Sequence, residues 1–186
     1  MSRIIAGLAG SIKLKTAAKA TRPTSDRVKE SVFAKLESLD VLQNAKVLDL
    51  YAGTAALGLE AASRGAKEVV LVERDKAALE VIRANVEQVS KSLETTQISI
   101  QPIDAAKYLA TSKGAFDLVF VDPPYGLEAS KLKVVLELLG PRLSPEGLVL
   151  VERSSRESIF ELPDEWELLE TKTYGHTAVH FVSTTE

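Results

Sequence analysis

Asp122, Pro123, Pro124 and Tyr125 follow directly on the apolar run FDLVFV of residues 116–121. Asp122 and Pro123 each precede a proline and are held extended. Pro124 has no N–H with which to close a local turn. Such a turn is expected to keep its carbonyl oxygens free to face a ligand. The Asp122 carboxylate is then a second acceptor and the Tyr125 ring a stacking surface. Two acceptors beside a flat ring suit a planar base that carries an exocyclic NH2 group. That amine is a poor nucleophile, because its lone pair is conjugated with the ring. Hydrogen bonds from both of its protons, to Asp122 and to a carbonyl, favour a tetrahedral nitrogen whose lone pair can point at an electrophile. This is positioning and electrostatic help, and it does not require Asp122 to remove the proton first. The alternative is a loop merely stiffened by proline.

Further candidates stand at similar places. The segment DLYAGTAALG, residues 49–58, follows an apolar run and contains Gly53 and Gly58. Small residues there let a backbone approach a ligand, and a helix start offers free N–H groups. A tight strand-to-helix turn would read the same way. The dinucleotide pattern G-x-G-x-x-G is absent. Glu73 closes the next apolar run, where a carboxylate can accept both hydroxyls of a ribose and would repel a 2′-phosphate. The alternative is an ordinary surface glutamate. Asp104 could accept from an adenine amine or could cap the helix that follows it.

These residues need a scaffold, and the sequence supplies one. From Lys46 onward, short apolar runs alternate with helical periodicity. KVLDLYA, EVVLVE, QISIQ, FDLVFVD and GLVLVER read as strands. AALGLEAASRG, DKAALEVIRANVEQVS, DAAKYLAT and ASKLKVVLELLG read as helices, the first stopped by Gly65. Such alternation implies a parallel sheet covered by helices on both faces, with ligands beyond the carboxyl ends of its strands. WELLETKTYG and HTAVHFVS have only a turn between them and read as an antiparallel hairpin on the sheet edge. At the other end, RIIAG and IKLKT read as a small hairpin with its lysines on one face. AAKATRP reads as a linker. A helix is expected from about Ser25, capped by Thr24 or Ser25, with Val28, Val32, Phe33 and Leu36 on one face.

The bulk properties bound the function. A chain of 186 residues, 45% hydrophobic and 26% charged, suits one globular domain with a small appendage. The absence of cysteine excludes disulfides, thiolate metal sites and a cysteine nucleophile. His176 and His180 are too few for a histidine-rich metal site, and no metal is expected. The opening residues lack a signal-peptide core, and no apolar run approaches about 18 residues, so a cytoplasmic location is expected. The net charge of −3 is uneven: residues 1–35 carry eight Lys/Arg against two acids. A basic arm on an acidic body suits a polyanionic partner met at one end. Nothing requires more than a monomer.

VLDLYAGTAALGLEAASRGA, VVLVERD, the Asp104–Ala105 pair and FDLVFVDPPYG together resemble the class I S-adenosylmethionine-dependent methyltransferases. The D-P-P-Y form is similar to those that methylate exocyclic amines of bases. RIIAG followed by RPTSDRVKESVF narrows the resemblance to the bacterial 16S rRNA guanine-N2 methyltransferases of the small-subunit rRNA methyltransferase D family. The likeness runs from Arg3 to the YG pair at 174–175, with its motifs in the family's order. It implies an α/β, Rossmann-like fold with a seven-stranded, mostly parallel sheet. It implies a basic arm and linker over residues 1–21 and a methyltransferase domain over 22–186. It implies methyl transfer from S-adenosylmethionine to one guanine N2 amine of 16S rRNA, within the small ribosomal subunit. By position, Asp49, Gly53 and Thr54 would lie along the methionine and ribose of the cofactor, Glu73 would hold the ribose hydroxyls, and Asp104 and Ala105 would meet the adenine. Asp122 and Pro123 would hold the amine, with Tyr125 against the base. Arg22, Thr24 and Arg27 match the family's RPT..R segment over the active-site mouth. Arg3, Lys13 and Lys15 on the hairpin would contact RNA.

One position departs from the family. Its loop reads A-G-(S/T)-G-A-L-G, and Ala55 stands where the middle glycine is expected. If φ is positive there, alanine costs about 1 kcal/mol. Other readings are a DNA adenine-N6 methyltransferase, which would need a target-recognition region, and a non-catalytic RNA-binding assembly factor that lost its cofactor through Ala55. A protein glutamine methyltransferase would more typically carry asparagine at position 122. An NAD-dependent oxidoreductase lacks support without the glycine pattern.

Overall fold

The computed structural model describes residues 2–16, 26–124, 126–157 and 160–185. A two-stranded antiparallel ribbon, β1 (Ser2–Arg3) and β2 (Lys13–Leu14), opens the chain. The helix α1 (Asp26–Ser38) follows, with Val28, Val32, Phe33 and Leu36 buried as the periodicity predicts. Its cap at Thr24 or Ser25 lies outside the described residues. The alternation is then β3 (Lys46–Leu50), α2 (Ala56–Ser63), β4 (Glu68–Val72), α3 (Lys76–Ser90), β5 (Gln97–Gln101), α4 (Ala105–Thr111), β6 (Phe116–Val121), α5 (Ala129–Leu139) and β7 (Leu143–Ser154). The hairpin β8 (Trp166–Tyr174) and β9 (Thr177–Thr184) ends the fold.

The seven-stranded sheet has the order β5-β4-β3-β6-β7-β9-β8, parallel from β5 through β7 and antiparallel at β9 and β8. The order reverses between β3 and β6, which creates a crevice beyond their carboxyl ends. The last strand, β9, lies inside, and β8 forms the edge. Burial explains the exchange: five consecutive residues of β9 are buried, whereas β8 is largely exposed.

Side-chain alternation divides the core into two layers. Val47, Val69, Leu71, Leu118, Phe120, Leu148 and Leu150 face α1, α2 and the N-terminal ribbon. Leu48, Leu50, Val70, Val72, Val119, Val121, Val149 and Val151 face α4 and α5. Gly65, at φ 108, turns the chain out of α2. Gly58 lets α2 approach the sheet, since a Cβ there would meet Leu71 Cδ2 at 2.5 Å.

Candidate active site

Four carboxyl ends of the sheet bring the rim together. Asp49 alternates with Val47 and points under α2, where its Oδ2 accepts from Gly58 N at 2.9 Å. It is 2% exposed, and burial pushes its carboxyl up to about 7, with the Glu73 charge adding to the rise and the Gly58 bond opposing it. Glu73, just beyond β4, accepts from Gly53 N at 3.0 Å through Oε2, and from Arg74 N at 2.7 Å and Asp75 N at 2.8 Å through Oε1. One carboxylate thus ties the glycine loop to the turn after β4. Asp104 caps α4, accepting from Ala106 N at 3.1 Å and Lys107 N at 3.4 Å, and its other oxygen meets Arg74 Nη1 at 3.1 Å. Ala105 beside it is buried.

The loop after β3 is tightly wound. Tyr51, Gly53 and Ala55 have φ of 62, 57 and 61°. Ala55, wholly buried, adopts the left-handed conformation for which glycine is suited, so the loop keeps its path at a strain of about 1 kcal/mol. A Cβ on Gly53 would meet only Tyr51 O, at 3.8 Å, so the space over this peptide is open. Thr54 O accepts from Asn85 Nδ2 at 2.9 Å.

Asp122 extends β6 and alternates with Phe120, so it shares a face with Asp49. Burial holds its carboxyl well above the usual carboxylate range, and the charges of Glu152 and Asp49 add to the rise. Pro123 is buried and Pro124 exposed. The expected freedom of the turn's carbonyls needs a correction: Pro124 O accepts from Leu127 N at 3.1 Å, closing a turn at Gly126, whose φ is 87°. Tyr125, Arg22 and Thr24 lie outside the described residues. Arg27 is exposed on α1.

Arg3, Lys13 and Lys15 are exposed on the ribbon, whose other side is bound to the body. Glu60 of α2, wholly buried, accepts from Ile5 N at 2.7 Å and Ala6 N at 3.1 Å and pairs with Arg64 Nε at 2.8 Å. Lys29 of α1 is also wholly buried, donates to Arg3 O and lies 3.8 Å from Glu60. Burial lowers its ammonium's pKa against the pull of Glu60 and Asp26. Asn85 accepts from Lys15 N at 2.8 Å and donates to Lys15 O at 3.1 Å. The same amide therefore holds both the end of the ribbon and the glycine loop.

Sequence reasoning missed Lys29, Glu60, Asn85, Tyr51 and Glu152. Two left a signal: Lys29 falls among the apolar positions of α1, and Glu60 is the one charged residue in the small, apolar stretch AALGLEAAS. Tyr51 stands beside Asp104, and burial with that neighbouring charge pushes its phenol up to about 12. Among the described residues, no cluster could hold a metal ion and no helix is long and apolar enough to cross a membrane.

Known proteins share this architecture. A solved chain of Thermus thermophilus, a hypothetical protein, superposes with TM-score 0.84 at 28% identity, covering 99% of this chain and 100% of that one. Magnesium protoporphyrin IX methyltransferase of Synechocystis PCC 6803, solved with bound SAM, has TM-score 0.67 at 13% identity over 86% of this chain and 79% of its own, a likeness of fold. The ribosomal RNA small subunit methyltransferase D of Haemophilus influenzae is 34% identical over 175 residues, 93% of this chain and 89% of its own. Residues 2–183 match the family model described as conserved hypothetical protein 95. The chain belongs to that family, and stands in it beside the ribosomal RNA small subunit methyltransferase D proteins.

Proposed function

We propose that the protein methylates the exocyclic N2 amine of a guanine in 16S rRNA of the small ribosomal subunit, with S-adenosylmethionine as donor. The observation that carries this reading is the position of Asp122, a half-buried acid at the end of β6, on the same sheet face as the acid at the end of β3. The Haemophilus influenzae relative supports the choice of small-subunit rRNA.

The donor set fits the cofactor. Carboxylates at Asp49, Glu73 and Asp104 suit a ligand with cationic, hydroxyl and amine groups, and would repel the phosphates of a dinucleotide. The open space over Gly53 admits such a ligand against the backbone. Asp49, Gly53 and Thr54 would hold the methionine and ribose part, Glu73 the ribose hydroxyls, and Asp104 with Ala105 the adenine. When bound, S-adenosylmethionine supplies an electrophilic methyl group on sulfur. Asp122 and the Pro123 segment orient the amine by accepting hydrogen bonds from its N–H groups, and Tyr125 stacks on the base. Each cofactor-side acid keeps a spare lone pair beside the N–H groups it already serves.

Residues 1–21 act as an RNA-contacting arm on the domain formed by the rest, through Arg3, Lys13 and Lys15, and Arg22, Thr24 and Arg27 cover the mouth. The arm's exposed lysines neutralise phosphates, so changing Arg3, Lys13 and Lys15 to Ala weakens RNA binding and flattens its salt dependence by about one unit for each phosphate no longer neutralised. We take the protein to act as a monomer in the cytoplasm.

The test is incubation with labelled S-adenosylmethionine and small subunits that lack the modification, with duplex DNA in parallel, followed by mass spectrometry of nucleosides. N2-methylguanosine in 16S rRNA is the expected product. N6-methyladenine in DNA, or no label in either, would overturn the reading.

A further inference from the structure

We infer that Glu152 is a second acidic residue of the transfer site, forming with Asp122 a carboxylate pair that takes up the proton displaced from the amine. The inference rests on the amine-methylating reading above.

The register of the sheet brings the two together. In the parallel pair β6–β7, Phe120 lies beside Leu150 and Val121 beside Val151. The next residues, Asp122 and Glu152, are therefore neighbours on strands about 4.8 Å apart. Phe120 and Leu150 face the layer under α1 and α2, and Val121 and Val151 face the other. Two residues on from the first pair, both carboxyls point to that first layer. Two adjoining cavities are lined by both acids. One, of about 20 Å³, is also lined by Lys29, Val32 and Leu57 and has room for about one water. The other is lined by Pro123, Arg153, Ser154 and Glu157, where the chain emerges at the surface.

The electrostatics agree with this geometry. Two carboxylates side by side in a low-dielectric wall resist joint ionisation and share a proton. Burial and the Glu152 charge hold Asp122 well above its ordinary range. Among the described residues, Lys29 from α1 and Arg153 and Glu157 beside β7 line these cavities, and the Asp49 charge acts on the pair from β3; His180 of β9 lies beside Val151, on the other face of the sheet. Lys29 is directed to Arg3 O, Asp26 and Glu60. Arg153 pairs with Glu157 at 2.6 Å and donates to Leu127 O at 3.1 Å. His180 is held low by burial and by Arg153, with Nδ1 bonded to Thr171 at 2.9 Å.

The reaction needs such an acceptor. The amine lone pair forms the new N–C bond as the S–C bond of the sulfonium donor breaks, its electron pair remaining on sulfur. The nitrogen is then positive, and it becomes neutral when an N–H bond releases its proton and keeps its electrons on nitrogen. The pair, with one shared proton and one negative charge, accepts that proton and becomes neutral. The outer cavity returns the proton to water.

The test compares the wild-type protein with Glu152→Gln and Glu152→Asp. Carboxyl ¹³C NMR of protein labelled at Asp and Glu, titrated without cofactor or RNA, reads the Asp122 midpoint directly. In E152Q that midpoint falls by about one pH unit or more, because the like charge is gone. E152D restores most of it. Single-turnover transfer to small subunits loses about tenfold in E152Q at its plateau, and its acid limb moves to lower pH with the midpoint. Cofactor affinity stays within about twofold, which shows that the variant is folded. An unmoved midpoint overturns the pair. A moved midpoint with unchanged rate and acid limb overturns its part in transfer. A wild-type protein that methylates no RNA overturns the underlying reading, and the titration, which needs neither cofactor nor RNA, tells that failure apart.

Discussion

The two halves of the rim treat their carboxylates in opposite ways. On the β3–β5 side, main-chain N–H groups meet every acid: Gly58 on Asp49, Gly53, Arg74 and Asp75 on Glu73, Ala106 and Lys107 on Asp104. On the β6–β7 side, no N–H among the described residues donates to the Asp122 carboxyl, and the charges of Glu152 and Asp49 oppose its ionisation. In the first half main-chain donors fix each acid in place, although burial still raises Asp49 to about 7. In the second, no such donor among the described residues offsets the burial of Asp122. The two halves are nevertheless coupled, because the Asp49 charge adds to the rise at Asp122.

The comparison is open to direct attack. Asp122→Ala should lower single-turnover transfer by about 10³-fold or more, while calorimetry finds the cofactor dissociation constant within about twofold. Equal loss of both would erase the division. Asp49 stands at the boundary, and its pH behaviour sharpens it. Its folded value of about 7 lies above the ordinary 3.8, so the folded state keeps the proton to higher pH than the unfolded chain. Its contribution to stability is whole below about pH 4 and is lost as pH rises to about 7, up to about 4 kcal/mol. Asp49→Asn should flatten that part of the stability curve in denaturant titrations at several pH values, and an unchanged slope would move the effect elsewhere.

Smaller effects test the holding half. Glu73→Ala should weaken the cofactor about 10- to 100-fold, as loss of charge-assisted hydrogen bonds predicts, with transfer at saturating cofactor much less affected. A dissociation constant that did not move would take Glu73 out of the site. Ala55→Gly sets relief of about 1 kcal/mol of left-handed strain against about 0.8 kcal/mol of lost buried methyl. Denaturant unfolding should therefore shift by less than about 1 kcal/mol, with cofactor affinity equal or slightly better.

The scaffold was legible because its signals are local. Apolar runs, helical periodicity, the stop at Gly65 and the start at Asp75 lie within a few residues of the elements they define, and the alternation of KVLDL, EVVLV and FDLVFV needs little more to imply a parallel sheet. The rim acids were read at the ends of the apolar runs, and the resemblance supplied the role expected of each. What stayed hidden depends on neighbours far along the chain. Glu152 is only a strand residue until β7 lies against β6. Asn85 is a polar residue in α3 until Lys15 and Thr54 reach it from opposite directions. The conformation of Ala55 was posed as a condition, because a loop's path is not written in one residue. The Pro124 carbonyl was expected to be free, and Leu127, three residues on, takes it.

The position of β9 bears on how the molecule is made. It follows β8 in the chain, yet it lies between β7 and β8 in the sheet. A nascent chain that has reached Tyr174 carries β7 with an unpaired edge and β8 with nothing to join. Such an edge invites pairing with other chains until it is covered. The strand bearing Glu152 is thus completed only when Thr177–Thr184 has been translated, so a chain stopped short of that strand would be marked by its own open sheet as unfinished.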